Sequence, residues 1–446
     1  MAGRIWLRRV MPFPAASVNE CVKRGWIQVI EGVTAKATWH GMHYTCNRCF
    51  NSNQLTFTTF ECAQCETTCA YCRNCLNMGR VSRCSELLIW TGQAPVYPTN
   101  HRMNWQGNLT PSQQKATNEL LASTKQSISH LLYAVCGSGK TEMLFQPIHY
   151  LLNEGKRVCL AAPRVDVILE LLPRLKTAFP DTVVEALYGG AEVEHYDAQL
   201  ILATTHQLYR FHEAFDAIFV DEADAFPYTA DETLQQAVKK AVKPNGPIHF
   251  VTATPSAQLL AMNKKQGNIS ILARRYHGQP LPEPRNVSLW NYEKQLKKKK
   301  IPSKLLRWTK ERIDNQQPFL IFFHQIELME LAETLFQQLD SRICAVHAEH
   351  EDRKERVQLL RDKEIPGLLT TTILERGITI PNVQVAVVGA EQTIFNKGAL
   401  IQIGGRVGRS VPNTSGDFVL FHQGITNAMD EAKSEIRKLN KQEVPR

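Results

Sequence analysis

The sequence predicts an α/β protein in which two lobes, each built on a parallel sheet, follow a small metal-binding module. Short apolar runs rich in β-branched residues alternate with helical stretches in two separate zones, which is typical of parallel sheets covered by helices. Eight of the 12 cysteines fall between Cys46 and Cys84. A chain of 446 residues is long enough for two or three domains of roughly 150 residues each.

Residues 1–104 contain the cysteine-rich part of the chain. In a reducing cytoplasm, thiols clustered in C-x-x-C pairs indicate metal ligation rather than disulfides. The candidate zinc ligands are Cys46, Cys49, Cys62, Cys65, Cys69, Cys72, Cys75 and Cys84. Four thiolates from two facing C-x-x-C turns would form a closed, structural tetrahedral site.

The first C-x-x-C pair, Cys46 and Cys49, could face either of two later pairs. The pair at 62 and 65 has ribbon-like spacing, and the pair at 72 and 75 is an equally good knuckle followed by a glycine. We favour the pair at 72 and 75, which leaves the other four cysteines for a second zinc. One zinc with spare thiols is the alternative, because spacing does not determine pairing.

Residues 105–285 form the predicted first lobe, and residues 301–446 form the second. The strands predicted in the first lobe are 130–135, 157–163, 199–205, 217–224 and 248–255. Those predicted in the second lobe are 318–324, 342–348, 367–374, 383–390 and 417–423. Each is a short apolar run, as expected for strands that are buried on both faces of a sheet.

A basic hinge linker is predicted between the lobes, at residues 286–300. From Arg285 to Arg312 there are ten basic and two acidic residues, including the run from Lys297 to Lys300. Such a segment could contact DNA or a membrane surface, or could be a solvated hinge. The sequence favours neither interpretation.

A phosphate-binding loop follows the first predicted strand of the first lobe. Gly137-Ser138-Gly139-Lys140-Thr141 joins this strand to a helix, and its glycines let successive N–H groups point at phosphate oxygens. Lys140 would reach the β- and γ-phosphates, and Thr141 would place its hydroxyl on Mg²⁺. The loop alone predicts nucleotide binding.

Two carboxylates end a predicted strand in the same lobe. The run AIFVDEAD places Asp221 and Glu222 at the carboxyl end of that strand, beside the phosphate loop. Asp221 can hold Mg²⁺ through its water shell, and Glu222 can orient or deprotonate the attacking water. The pair therefore predicts hydrolysis of bound ATP.

The second lobe contributes the pattern Q-x-x-G-R-x-G-R, formed by Gln402, Arg406 and Arg409. Two arginines three positions apart are expected on one helix face, from which they would reach the γ-phosphate across a cleft. Arginines in this position stabilise the charge that develops in the transition state. Hydrolysis is therefore expected to depend on closure of the two lobes.

These motifs occur in the order of a superfamily 2 helicase, which the chain resembles from about residue 105 to residue 430. LTPSQ at 109–113 resembles the adenine-reading motif and implies that Gln113 contacts the base. TATP at 252–255 resembles the motif that couples hydrolysis to movement. The segment from Thr370 to Gly377 resembles a second-lobe motif that contacts both backbone and nucleotide. The resemblance implies two RecA-like lobes and a nucleotide contact at Gly377.

The same resemblance implies nucleic-acid contacts at strand ends in both lobes. The residues concerned are Pro163, Arg164, Thr204, His206, Gln207, Thr370 and Thr371. Contacts to the nucleic-acid backbone carry no sequence information, so movement along DNA is expected to be largely independent of sequence.

Within that superfamily the chain resembles the ComFA family of late competence ATPases from Gram-positive bacteria. The segments that carry this resemblance are YCRNCLNMGRV (71–81), APRVDVILELLPRL (162–175) and DEADAFPY (221–228). The resemblance implies a motor that pulls single-stranded DNA through a membrane channel during transformation. It also implies other competence proteins as partners, including a phosphoribosyltransferase-like companion, and it is compatible with an oligomer.

The charge and hydropathy of the chain agree with this interpretation. The net charge of 52 − 43 = +9 favours a polyanionic partner, although a merely basic surface would give the same value. No apolar run approaches the roughly 20 residues of a membrane span, and the first residues lack the apolar segment of a secretion signal. We expect a cytoplasmic protein that associates with the inner face of the membrane only peripherally.

Three functions remain open. The first is an ATPase that translocates on single-stranded DNA, which we favour. The second is a duplex-unwinding repair or replication-restart helicase, which would need a strand-separating hairpin that the sequence does not reveal. The third is a nucleic-acid-binding scaffold with a vestigial ATPase, which the intact Lys140, Asp221 and Glu222 disfavour.

Overall fold

The structure is a computed structural model that describes residues 2–39, 41–350, 352–376, 379–409, 411 and 414–442. Two wholly parallel sheets, of seven and six strands, follow three small antiparallel sheets. The predicted fold class, two RecA-like lobes preceded by a small cysteine module, is confirmed.

The N-terminal module is built from short antiparallel strands. Its elements are β1 (Ile5–Leu7), α1 (Ala15–Lys23), β2 (Ile27–Glu31), β3 (Val33–Thr38), β4 (Gly41–Cys46), β5 (Phe57–Cys62), β6 (Thr67–Cys72), β7 (Val81–Ser82) and β8 (Glu86–Trp90). β8 pairs with β1 and β2, β3 pairs with β4, and β6 pairs with β5 and β7. Four buried cysteines of the module share one apolar core with Tyr209 and Phe211 of the first lobe, so the module is packed onto that lobe.

Lobe 1 is a seven-stranded sheet with helices between its strands. Its elements are α2 (Pro111–Lys125), β9 (Leu131–Ala134), α3 (Lys140–Asn153), β10 (Val158–Ala162), α4 (Val165–Ala178), β11 (Val184–Leu187), β12 (Leu200–Thr204), β13 (Ala217–Asp221), α5 (Glu232–Ala241), β14 (Ile248–Thr252), α6 (Ala257–Gln266) and β15 (Ile269–Leu272). The strand order is β11-β12-β10-β13-β14-β9-β15. Because all strands are parallel, the loops after their carboxyl ends meet at one edge of the sheet.

Lobe 2 repeats this architecture with six strands. Its elements are β16 (Arg285–Ser288), α7 (Tyr292–Lys297), α8 (Ser303–Asp314), β17 (Phe319–Phe323), α9 (Ile326–Phe336), β18 (Cys344–Val346), α10 (Arg353–Arg361), β19 (Gly367–Thr370), β20 (Gln384–Val388), α11 (Lys397–Gly404), β21 (Phe418–His422) and α12 (Asn427–Lys441). The strand order is β16-β21-β20-β17-β19-β18.

The segment expected to be a hinge linker, residues 286–300, belongs instead to lobe 2. β16 is the edge strand of the second sheet and pairs with β21, and α7 follows it directly. Tyr292 and Leu296 of α7 are fully buried in the core of this lobe, which anchors a segment that is otherwise strongly basic. The lysines from 297 to 300 remain exposed.

The last helix ties the two lobes together. Met429 and Ile436 of α12 share a buried core with Leu131 and Tyr133 of β9 in lobe 1. The Tyr133 hydroxyl also donates a hydrogen bond of 2.7 Å to Glu435. The lobes therefore meet through an apolar seam as well as through the polar cleft described below.

Within the described ranges, no helix combines the length and the apolar character needed to cross a bilayer.

Candidate active site and metal centres

The phosphate loop lies between β9 and α3 and lines a cavity of about 540 Å³ at the boundary of the two lobes. Gly137 and Gly139 have φ angles of 78° and 74°, in the left-handed region that glycine enters without steric cost. α3 begins at Lys140, and both Lys140 and Thr141 line the cavity. The helix N-terminus at the mouth of this loop favours a phosphate at this position.

Gln113, the predicted base contact, also supports the phosphate loop. Its side-chain oxygen accepts a hydrogen bond of 2.8 Å from the backbone N–H of Thr110, and its amide nitrogen donates one of 2.7 Å to the carbonyl of Ser138. An amide keeps one N–H and one oxygen lone pair beyond these two bonds. Gln113 lines the cavity, which is consistent with a contact to a bound base.

Asp221 and Glu222 reach the same cavity from the end of β13. Burial raises the pKa of Asp221 to about 6, and the nearby Lys140 ammonium opposes that rise. One carboxylate oxygen of Glu222, Oε2, is buried and has no hydrogen-bond partner among the residues that the structure describes. Nη1 of Arg376 lies 3.6 Å from this oxygen, beyond hydrogen-bond distance, so the oxygen can still accept a hydrogen bond from a water molecule.

Lobe 2 brings Gln402, Arg406 and Arg409 to the opposite wall of the cavity. Arg406 is buried and donates to the carbonyl of Glu375 through Nε at 2.9 Å and Nη2 at 2.6 Å. Burial together with the Arg409 charge lowers the pKa of Arg406 to about 9. The structure thus brings both arginines to the cavity that the phosphate loop lines.

The expectation that these arginines share a helix face is wrong. α11 ends at Gly404, Arg406 lies in the turn at residues 405–408, and Arg409 follows that turn. Two consecutive glycines and the left-handed φ of Gly408, 63°, account for the early end of the helix.

A buried ion-pair network across the cleft was not predicted. Nη2 of Arg376, in lobe 2, lies 2.6 Å from Asp224 of lobe 1, and its Nη1 lies 3.6 Å from Glu222. Asp224 also accepts hydrogen bonds from Thr252 at 2.6 Å, from Gln402 at 3.2 Å and from Thr254. Asp224 belongs to the DEAD run and Arg376 to the Glu-Arg-Gly run, and the sequence contains both motifs. The contact between them could not be predicted from the sequence, because the two residues lie in different lobes.

The segment after β15 also positions the site. The backbone N–H of Tyr276 donates to the carbonyl of Gly137 at 2.9 Å, within the phosphate loop. Nη1 of Arg275 donates to the carbonyl of Gly408 at 2.6 Å, beside Arg409. This segment therefore links the phosphate loop to the arginine turn, and the sequence contained no motif that marked it.

The predicted DNA contacts of lobe 1 lie side by side. β10 and β12 are adjacent, with Ala162 opposite Thr204, so the loop carrying Pro163 and Arg164 lies next to the turn carrying His206 and Gln207. His206 is exposed, whereas Thr204, Gln207 and Pro163 are buried. Arg164 also reaches lobe 2, where its Nη2 donates to the carbonyl of Ile373 at 3.3 Å.

The predicted contacts of lobe 2 are less accessible. Thr370 ends β19 and is fully buried, and its hydroxyl donates to the carbonyl of Val346 at 3.0 Å. Thr371 follows it and is half-buried. The candidate nucleotide contact Gly377 lies outside the described residues.

The eight clustered cysteines form two groups. We call the group Cys46, Cys49, Cys72 and Cys75 the inner cluster, and the group Cys62, Cys65, Cys69 and Cys84 the outer cluster. The structure brings together the favoured pairing and not the ribbon-like one. Within each group, the four sulfur atoms lie within 4.8 Å of one another.

Both clusters fit a tetrahedral zinc ion. With a Zn–S bond of about 2.3 Å, the sulfurs of a tetrahedron are roughly 3.8 Å apart. In the inner cluster the Cys46–Cys75 and Cys49–Cys72 sulfur distances are 3.8 and 3.6 Å. In the outer cluster Cys84 lies 3.7 Å from Cys62 and 3.8 Å from Cys69. Each cluster could hold one zinc ion.

Three families match successive parts of the chain: competence protein ComFA N-terminal domain at residues 1–89, type III restriction enzyme res subunit at 106–257, and helicase conserved C-terminal domain at 297–411. The chain is 40% identical to competence protein ComFA of Bacillus subtilis strain 168 over 442 aligned residues. The aligned region covers 99% of this chain and 94% of that relative. The chain belongs to the ComFA family. A second ComFA, from Streptococcus pneumoniae strain R6, is 42% identical over 376 residues, or 83% of this chain and 86% of the relative.

This member of the ComFA family also resembles solved helicases in fold. Dbp5 of S. cerevisiae, bound to RNA and ADP BeF3, superposes with a TM-score of 0.52 at 16% identity, over 75% of this chain and 92% of that one. At this identity the likeness shows the fold alone. With its two matched helicase domains, the chain is a competence-related ATPase of the superfamily 2 helicase type, for which ATP and Mg²⁺ are implied.

Proposed function

We propose that this protein hydrolyses ATP to translocate along single-stranded DNA during DNA uptake in competent bacteria. The observation that carries the proposal is one cavity lined by both lobes, with Lys140 and Glu222 on one wall and Arg406 and Arg409 on the other. Because this set is complete only where the lobes meet, hydrolysis would be coupled to their relative movement.

Each wall of the cavity has a distinct chemical role. The loop N–H groups and Lys140 would hold the phosphates, and Glu222 would orient the attacking water and accept its proton. Arg406 and Arg409 would offset the negative charge that develops as the terminal phosphate is transferred. Thr141 and Asp221 would hold Mg²⁺, which when bound neutralises phosphate charge.

The DNA grip would be divided between the lobes. Arg164 and His206 lie at adjacent strand ends of lobe 1, and Arg164 also contacts lobe 2 at Ile373. With the predicted contact Thr371 as the grip of lobe 2, a change in the angle between the lobes would move one grip relative to the other, which is the requirement for stepping. Residues 1–104 have 11 basic and five acidic side chains, a net charge of 11 − 5 = +6, which suits a polyanion near the module.

The proposal is tested by measuring ATPase activity with and without single-stranded DNA. We expect DNA to stimulate the wild-type enzyme, Lys140→Ala to abolish both rates, and Lys156→Ala to behave as wild type, because Lys156 is an exposed lysine of the same lobe. Equal rates with and without DNA would contradict the proposal.

Translocation itself needs a separate assay. We expect ATP-driven displacement of streptavidin from a biotinylated single strand, without separation of a forked duplex. Efficient unwinding of the fork would favour the repair or replication-restart function instead.

We further propose that the motor works at the inner face of the cell membrane with other competence proteins, among them a phosphoribosyltransferase-like companion. Support comes from the family, since the relatives at 40% and 42% identity are named competence proteins. Affinity capture from competent cells should recover the companion and a membrane fraction. Capture of the motor alone, at expression levels where the companion is detectable, would contradict this part of the proposal.

A further inference from the structure

Two buried cations lie beside the inner cluster. Arg48, of the module, donates from Nε to the Cys75 sulfur at 3.4 Å and from Nη2 to the Gly79 carbonyl at 2.7 Å. Lys240, of α5 in lobe 1, donates to the Tyr209 carbonyl at 2.9 Å and to the Arg48 carbonyl. They are only 2% and 8% exposed.

Neither cation has a carboxylate partner among the residues that the structure describes. Arg48 contacts the Cys75 sulfur and backbone carbonyls. Lys240 contacts backbone carbonyls, and its Nζ lies 5.0 Å from the centre of the Phe50 ring. The nearby cation Arg210 is partly exposed and adds no negative charge. Burial of an uncompensated charge costs several kcal/mol even after the protein relaxes. The negative charge that balances Arg48 and Lys240 must therefore come from the cysteines.

The charges balance with one zinc ion and four thiolates. Such a centre has a charge of −4 + 2 = −2, and the two buried cations supply +2. Four neutral thiols would leave both cations uncompensated, and four thiolates without metal would leave an excess of two negative charges. A metal-free cluster is neutral only if two of its cysteines stay protonated, whereas bound zinc lets all four sulfurs act as thiolates in a neutral interior.

The inner cluster lies at the boundary between the module and lobe 1. Lys240 belongs to lobe 1 and donates to the carbonyl of Tyr209. Tyr209 lies in the turn 205–210, which contains the predicted DNA contacts His206 and Gln207. Asn74 of the module also approaches Thr233 of lobe 1 at 3.5 Å, and Thr233 bonds the Tyr209 hydroxyl. Zinc bound by the inner cluster would therefore stabilise the contact between the module and lobe 1.

The outer cluster has a different environment. It joins the β5–β6 hairpin to the turn after β7, entirely within the module, and Cys65 is exposed while Cys84 is partly exposed. In the described part of the chain, its sulfurs contact one another and backbone carbonyls, and no buried cation adjoins them. Water and a chelator would reach this site directly.

We propose that the chain holds two zinc ions that dissociate at different rates. The outer cluster holds an exchangeable ion. The inner cluster holds a long-lived ion whose double negative charge is neutralised by Arg48 and Lys240, and this charge balance fastens the module to the turn 205–210 of lobe 1. The inference does not depend on the motor function, because it concerns metal retention and domain packing.

The test measures zinc release from the full-length protein into a chromogenic chelator. We expect two equivalents per chain, released in a fast and a slow phase of equal amplitude. Cys65→Ser should remove only the fast phase. Lys240→Met should accelerate the slow phase by about tenfold or more, the range found when a group outside the ligand shell is lost.

Matched variants separate charge from packing. Lys239→Met changes the exposed neighbour on the same helix and should leave both phases unchanged, and Lys240→Arg should restore most of the slow phase. A single equivalent of zinc, a single release phase, or a slow phase indifferent to Lys240→Met would each overturn the proposal.

A measurement on the wild type alone covers the case in which Lys240→Met does not fold. Hydrogen exchange of the turn 205–210 should increase in step with the slow phase of zinc release and not with the fast one. Exchange that rises with the fast phase, or that does not change after complete zinc removal, would show that the inner ion does not fasten the module.

Discussion

The two buried polar interfaces of lobe 1 balance their charges in different ways. In the cleft, Arg376 of lobe 2 meets Asp224 at 2.6 Å and Glu222 at 3.6 Å, so the protein supplies both signs. Under the module, Arg48 contacts the Cys75 sulfur and Lys240 contacts backbone carbonyls, with no carboxylate partner in the described ranges. In the cleft the negative charge therefore comes from carboxylates, whereas at the module interface it must come from the cysteines.

The strongest test of the cleft is Glu222→Gln, which keeps the shape of the side chain and removes its basicity. We expect ATP hydrolysis to fall by about 10²- to 10⁴-fold, since a positioned general base contributes that much. Binding of a fluorescent ATP analogue should be retained. Glu232→Gln, an exposed acid at the start of α5, serves as the control and should hydrolyse ATP at the wild-type rate.

Arg376→Ala would remove the cation that pairs with Asp224 and Glu222 in the cleft between the lobes. Loss of one partner of a buried ion pair costs about 3–5 kcal/mol, because the remaining charge is left uncompensated. We expect a lower melting temperature and slower ATP hydrolysis, and Asp224→Asn in the same chain should recover part of the melting temperature.

The control for Arg376 is Arg437→Ala, which removes an exposed ion pair to Glu283 at 2.8 Å. Surface pairs contribute only about 0–1 kcal/mol, so this variant should melt near the wild type. Equal melting temperatures for the two variants would show that the cleft network does not stabilise the contact between the lobes.

Arg164→Ala would separate the DNA grip from the chemistry. We expect weaker binding of single-stranded DNA, a smaller dependence of affinity on salt by about 0.7 in the logarithmic slope, and an unchanged ATPase rate without DNA. Titration of a labelled oligonucleotide at several salt concentrations measures this. An unchanged slope would place Arg164 outside the DNA path and leave it only its contact with Ile373 of lobe 2.

The smallest effect is expected from replacing Lys297 to Lys300 with glutamine. These side chains are exposed at the end of α7 and just after it, so we expect them to contribute only screened, long-range attraction. We expect about twofold weaker DNA binding at low salt and no change at high salt. A loss that persists at high salt would identify the run as a direct DNA contact.

The sequence by itself determined the local chemistry of this protein. The phosphate loop, the Asp221–Glu222 pair and the arginine pattern each depend on residues close together in the chain, and all three line one cavity. The alternation of apolar runs identified ten strands of the two parallel sheets, because buried strands must be apolar along their whole length. It missed β11, β15 and β16, which are four residues each and contain polar or charged residues.

Only the tertiary structure decided which distant groups meet. Spacing left two pairings of the cysteines open, and packing of the β5–β6 hairpin placed Cys72 and Cys75, rather than Cys62 and Cys65, against the first pair. Arg48 and Lys240 lie 192 positions apart, and Asp224 and Arg376 lie 152 apart. Such contacts depend on how whole helices and strands pack and on which buried charges must be balanced. A local pattern of residues predicts neither of these.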